Sequence, residues 1–185
     1  MAHPKQLEAA TILGAALRML EENGSENLSL RGIAKSLGVK APSIYHYFPD
    51  KAALERALIA EGHAQLRDWT RRQTRSTDPE TAFRELAGAY LKFARKRPEL
   101  YFFTMSHQTP GGDRTDAGKK LWNLLLASLG ALTGDPDDTS AAVAVWAFLH
   151  GFAVLDHSGR FGKSGPKAGF ERGLEALLAG FRVRY

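Results

Sequence analysis

The sequence predicts an all-α protein of about nine helices, with a three-helix domain over residues 1–50 and a larger helical domain over 51–185. Three observations carry this. Apolar residues recur at i, i+3, i+4 and i+7 along most of the chain. Helix-ending or helix-starting residues, among them Gly24, Gly38, Pro79 and Pro98, fall between those stretches. No segment makes a convincing strand, and there is no internal repeat.

Composition narrows the function classes. The chain has 185 residues, 44% of them hydrophobic and 24% charged, which suits a packed domain rather than a disordered one. No run of about 18 apolar residues is present, so no membrane span is expected. The absence of cysteine excludes disulfides, thiolate metal sites and thiol catalysis, and fits a cytoplasmic protein. The apolar N-terminus resembles a signal peptide only superficially, because Glu8, Glu21 and Glu22 accompany it and its apolar residues are helically spaced. A net charge of +5 and a pI of about 9.6 are compatible with nucleic acid without requiring it.

The first helix is expected over Pro4 to Asn23, with Pro4 in its first turn and Gly24 at its C-cap. Ile12, Ala15, Ala16, Met19 and Leu20 form its apolar face. The next carries Leu30, Ile33, Ala34 and Leu37 on one stripe. Ser29 stands ahead of it as a cap and Gly38 behind it as a left-handed stop. Gly32 weakens this helix by about 1 kcal/mol relative to alanine. Val39 plugs the turn. A short helix begins near Ala41 with Pro42 in its first turn, and Ile44 and Phe48 face inward.

With those two buried, Pro42, Ser43 and His46 point outward and Tyr45 and Tyr47 lie on the flanks. Such side chains can reach phosphates and base edges in a major groove, so residues 29–48 read as a DNA-binding helix-turn-helix. A plain helical hairpin would leave a proline, two tyrosines and a histidine crowded on one short helix without a reason. Residues 1–50 carry five Lys/Arg and five Asp/Glu, but Arg31, Lys35, Lys40 and Lys51 lie within or beside the reader and the glutamates lie outside it. Arg67, Arg71, Arg72 and Arg75 read as a solvated helix end.

Asp50 caps a long helix that runs to about Arg75, and Asp78-Pro79 starts another over Glu80 to Arg97. Glu99 to His107 is a short aromatic helix, and Gln108 to Asp116 a loop. Ala117 to Leu132 is helical. Thr139 to about Ser158 is apolar on almost every side, so it must be buried, and it is too short and interrupted to cross a bilayer. Ala168 to Arg182 is the last helix.

Ile33-Ala34, Gly38-Val39, Pro42-Ser43-Ile44-Tyr45, Phe48-Pro49, Lys51 and Leu54 together resemble the signature of the TetR family of transcriptional regulators. Lys40 departs from it, standing where a capping Ser or Thr is common. Trp146, His150 and Gly151 resemble the Trp-x-x-x-His-Gly pattern of one TetR subgroup's effector domain.

The resemblance implies a homodimer, joined through the last two long helices, on a palindromic double-stranded DNA operator. It also implies release by a small-molecule effector, most simply repression, and no cofactor. Carried onto this chain, Arg31, Ala41, Ser43 and Tyr47 face bases, while Ser29, Lys40, Tyr45 and Lys51 hold phosphates; helical geometry adds Pro42 and His46. Small residues on the last two helices permit close helix approach, within one subunit as well as between two. They are Ala141, Ala142, Ala144, Ala147 and Gly151, then Gly169, Gly173, Ala176 and Gly180. A hydrophobic or aromatic effector would lie among Trp69, Tyr90, Phe93, Phe103, Trp122 and Trp146, with His107 and His150 orienting it. Each aromatic taken singly also suits a plain core.

His150 and His157, with Asp156, lack a third ligand at fixed spacing, so no metal is expected. No nucleophile, base and oxyanion donor form a set, so no enzyme is expected. The rival readings are a helical small-molecule-binding protein or enzyme with a vestigial helix-turn-helix, and a constitutive DNA-binding protein with a dry core.

Overall fold

A computed structural model describes residues 7–106, 115–162, 165 and 168–182. Those residues form nine α-helices and no strand. Packing divides the chain into two compact units, Met1–His63 with Arg97–Gly118, and Ala64–Lys96 with Lys119–Tyr185. The cut therefore falls elsewhere than the functional boundary expected after residue 50, and the first unit is built from two separate stretches.

In the first unit, α1 (Ala9–Asn23) buries Ile12, Ala15, Ala16 and Leu20. It begins at Ala9 behind an extended Glu8, and Pro4, expected in its first turn, lies outside the described residues. Gly24 ends it at φ 74°, its N–H donating to the Leu20 carbonyl, and a single 3-10 turn follows over Ser25–Asn27. Helix α2 (Leu30–Leu37) packs on both α1 and α3 (Ala41–Tyr45). Gly38 closes α2 in the left-handed region at φ 66°, which a β-carbon would disfavour. Helix α4 (Lys51–Gln73) starts from a cap in which the Ala53 N–H donates to Asp50 Oδ1 at 2.7 Å.

Helix α6 (Pro98–Ser106) packs on α1. Arg97 Nε donates to Glu21 Oε1 at 2.6 Å across that contact. Gly62 of α4 meets α6 so closely that a β-carbon would lie 1.9 Å from Thr104 Oγ1. A glycine inside a long helix costs about 1 kcal/mol, and this close approach is its reason.

The second unit holds the end of α4, α5 (Pro79–Lys96), most of α7 (Asp116–Thr133), α8 (Thr139–His157) and α9 (Gly169–Arg182). Phe83, Leu86, Tyr90 and Phe93 of α5 are buried, as are Val145 and Leu149 of α8 and Leu174 and Leu178 of α9. Two ion pairs tie the helices: Arg95 to Asp156 at 2.7 Å and Arg84 to Glu175.

The expectation that α8 is wholly buried is overturned. Val143 is 54% exposed, Trp146 41%, Val154 38% and Leu155 44%. Apolarity requires a cover but does not say that the same chain supplies it. Its extent is as expected to within one residue, but the expectation that it is too short to cross a bilayer does not hold. At 19 residues α8 would reach about 28 Å, enough by length and composition to cross a membrane.

Candidate nucleic-acid interface

The reader is one-sided because of where its apolar residues fall. Ile44 is fully buried and Phe48 nearly so, while Pro42, Ser43, Tyr45 and His46 are exposed and Ala41 is half-buried. Pro42 lies in the first turn of α3, where a missing N–H leaves no helical bond unmade. Lys40 occupies the N-cap with extended backbone, where its ammonium, a donor only, cannot accept from a free N–H; the side chain is exposed and can donate to an anion.

On α2, Arg31 is exposed, and Ser29 Oγ accepts from the Gly32 N–H at 3.1 Å. The cap uses a lone pair, and the Ser29 hydroxyl proton remains free to be donated. Lys51 lies 3.6 Å from Glu55 one helical turn on. An exposed pair of this kind is worth about 0.3–0.5 kcal/mol, so a phosphate can displace it at little cost.

Tyr47 is placed otherwise than expected. Its ring is half-buried and its hydroxyl donates to the Leu7 carbonyl, just ahead of α1. It therefore does not present that proton to bases. His46 packs its edge on Tyr47 at 5.1 Å.

The residues expected to line an effector site are only partly brought together. Trp69 and Phe93 are neighbours at 6.4 Å. The Trp69 indole N–H donates to the Ala89 carbonyl at 3.0 Å and the Lys96 ammonium sits 5.1 Å from its ring centre, so this indole already joins α4 to α5. Tyr90 is buried in the same unit. Trp122 and Trp146 meet edge to face at 6.3 Å. His150 is half-buried, and burial lowers its pKa, which keeps the ring neutral near pH 7. Phe103 is buried within the first unit, whereas the others belong to the second, and His107 lies outside the described residues. An open groove of about 610 Å³ runs among the end of α7, the start of α8 and the end of α9, past Asp135, Ala144, Ala176 and Gly180. None of the expected effector residues lines it.

Sequence reasoning missed His63. This half-buried residue of α4 has Nδ1 3.3 Å from Thr115 Oγ1, which in turn accepts from the Gly118 N–H at 3.0 Å. Burial lowers its pKa as well. The one available signal was its neighbour Gly62, a glycine inside a long helical pattern, which marks a close approach.

Residues 12–58 match the model for bacterial regulatory proteins of the tetR family, and residues 83–177 match that for the tetracyclin repressor-like C-terminal domain. The chain belongs to the TetR family of transcriptional regulators. This TetR-family chain is 27% identical to the HTH-type transcriptional regulator Rv0681 of Mycobacterium tuberculosis over 188 aligned positions, covering 100% of this chain and 86% of that protein. It is 28% identical to the class A tetracycline repressor protein from transposon 1721 of Escherichia coli, covering 97% and 92%. A solved structure from Rhodococcus sp. RHA1, of a protein with unknown function, superposes with a TM-score of 0.77 at 26% identity over 97% of both chains. The two family matches leave residues 59–82 between them, and in this TetR-family chain α4 runs unbroken into that gap as far as Gln73.

Proposed function

We propose that this TetR-family regulator is a repressor that binds a palindromic operator as a homodimer, in the cytoplasm, and leaves it when a small hydrophobic or aromatic molecule binds. The observation that carries the DNA reading is the reader's one-sidedness: Ile44 is buried while Pro42, Ser43 and Tyr45 are exposed. Arg31, Ala41, Ser43 and His46 then take base edges, and Ser29, Lys40, Tyr45 and Lys51 take phosphates. Repression is suggested by the similar class A protein, itself named a repressor.

The exposed apolar face of α8, with Val143, Ala144, Ala147 and Val154, supports pairing with a second copy over burial in a membrane. Two copies set their readers about 34–36 Å apart, one turn of DNA. Effector binding uses the aromatic groups of the second unit, and the protein works by binding, without turnover. An effector releases DNA only through its higher affinity for the conformation that misfits the operator.

The test measures binding to DNA from around the protein's own gene and to scrambled DNA at two salt concentrations, followed by selection from random-sequence duplexes. Sequence-selective binding that survives the higher salt is expected. Equal, salt-sensitive binding to all duplexes, with no site emerging from selection, would refute the operator reading and favour the rival, a helical binding protein with a vestigial reader. A ligand at a hundred times its Kd adds about 2.7 kcal/mol to stability, so thermal shifts screen effector classes.

A further inference from the structure

Tyr47 reaches back 40 residues along the chain, and its hydroxyl donates to the Leu7 carbonyl. A tyrosine hydroxyl has one proton. Phosphate oxygens and base carbonyls accept protons only, so a hydroxyl already bonded to Leu7 has none to give them. The lone pairs that remain suit only base amino groups.

Two further features make this bond mechanically useful. Helix α3 has five residues and no side-chain cap at Lys40, so its own hydrogen bonds fix it weakly and its setting depends on what it touches. Helix α1 likewise has no side-chain cap at Glu8, and Leu7 lies immediately before it. The bond joins these two weakly fixed ends. Tyr47 also stands between buried Phe48 and exposed His46, whose ring packs on it edge to face at 5.1 Å. Holding Tyr47 thus holds the turn that carries His46.

We propose that Tyr47 is a positioning residue of the DNA reader: its bond to the Leu7 carbonyl locks the rotation of α3 against α1 and so sets the angle at which Ser43, Tyr45 and His46 meet DNA. The role rests on the operator reading above. It differs from the base contact that the family resemblance assigns to this position.

Tyr47→Phe removes the hydroxyl and keeps the ring. The operator is the site selected by the wild-type protein from random-sequence duplexes. Affinity for that site is expected to fall about threefold to tenfold, the worth of one neutral hydrogen bond. The factor should be the same on every single-base variant of the site, leaving base preference unchanged, because the variant binds through the same setting of α3 and only the fraction of molecules holding that setting falls. In the DNA-free protein, amide exchange should quicken at residues 9–12 and 43–48 but not in the second unit. Tyr45→Phe, which alters an exposed hydroxyl on the same helix, should leave exchange at 9–12 as in the wild type.

Relaxed preference at one base pair would make Tyr47 a direct reader and overturn the proposal. So would a lower melting temperature with unchanged affinity of the folded protein, which marks a stabilising role alone. Unchanged affinity and unchanged exchange would show the bond to be idle. If the wild-type protein selects no site, the operator reading fails and the positioning role with it. The exchange comparison then reports separately on whether Tyr47 holds α1.

Discussion

Gly173 of α9 faces the ring of Phe148 on α8, and a β-carbon at Gly173 would stand 2.4 Å from Phe148 Cε2. Phe148 is itself fixed by stacking on Phe170 at 5.6 Å, so it has little room to yield. This glycine serves packing inside one chain. Gly173→Ala should lower stability by about 1–3 kcal/mol, the usual cost of overpacking. Combined with Phe148→Leu, it should cost less than the sum of the two single changes in urea unfolding. Strict additivity would show that the two residues do not press on one another.

Ser29 has two separable roles. Ser29→Ala removes the acceptor for the Gly32 N–H and should cost about 1 kcal/mol of stability. Ser29→Asp restores a cap, and its negative charge suits a helix N-terminus, so stability should stay close to wild type. The same charge repels phosphates, and DNA affinity should fall most at low salt. If Ser29→Asp bound DNA as well as wild type, Ser29 would lie away from the backbone.

Acid should weaken the fold in two stages. Burial lowers the pKa of His63 and of His150 from 6.5, so between that value and the folded value the unfolded chain holds more protons than the native one. Their contribution is complete above pH 6.5 and is lost as pH falls below it. Asp78 and Glu85 are shifted down, chiefly by the hydrogen bonds they accept from Thr81 and from the Ser76 and Arg75 N–H groups, so theirs is lost only at lower pH, below the ordinary 3.8 and 4.5. Urea midpoints should hold steady from about pH 8 to 7 and decline from about 6.5. His63→Asn combined with His150→Asn should flatten that first decline; an undiminished decline would place its origin elsewhere.

The exposed face of α8 makes the dimer testable by one substitution. Ala147 is exposed, so Ala147→Arg burdens the single chain little but sets two like charges face to face where helices pair. Sedimentation should find a dimer for the wild type and a monomer for the variant. A wild-type monomer, or a variant that still pairs, would move the interface away from α8.

What the sequence made legible was local. Ser29, Gly38, Asp50 and Asp78 act within four residues of themselves, and each caps or stops its helix as their chemistry dictates. Ile44 was readable because a short helix must bury something. The Tyr47 bond to Leu7 and the Arg97 bond to Glu21 span 40 and 76 residues and leave no periodic trace. For α8, hydropathy measures the need for cover without naming what provides it. In the aromatic set, residue type could not separate Trp69, whose indole N–H is bonded to the Ala89 carbonyl, from Trp146, which is exposed.

Helix α6 returns to brace α1 through Arg97 and to seat Thr104 against Gly62. The reader is therefore not a portable cassette. A hybrid regulator spliced after residue 58, where the N-terminal family match stops, would carry Glu21 without its arginine and leave the flank of α1 without its brace. Transplanting this DNA specificity onto another sensor requires grafting the α6 segment too, or choosing a recipient whose own α6 offers the same arginine.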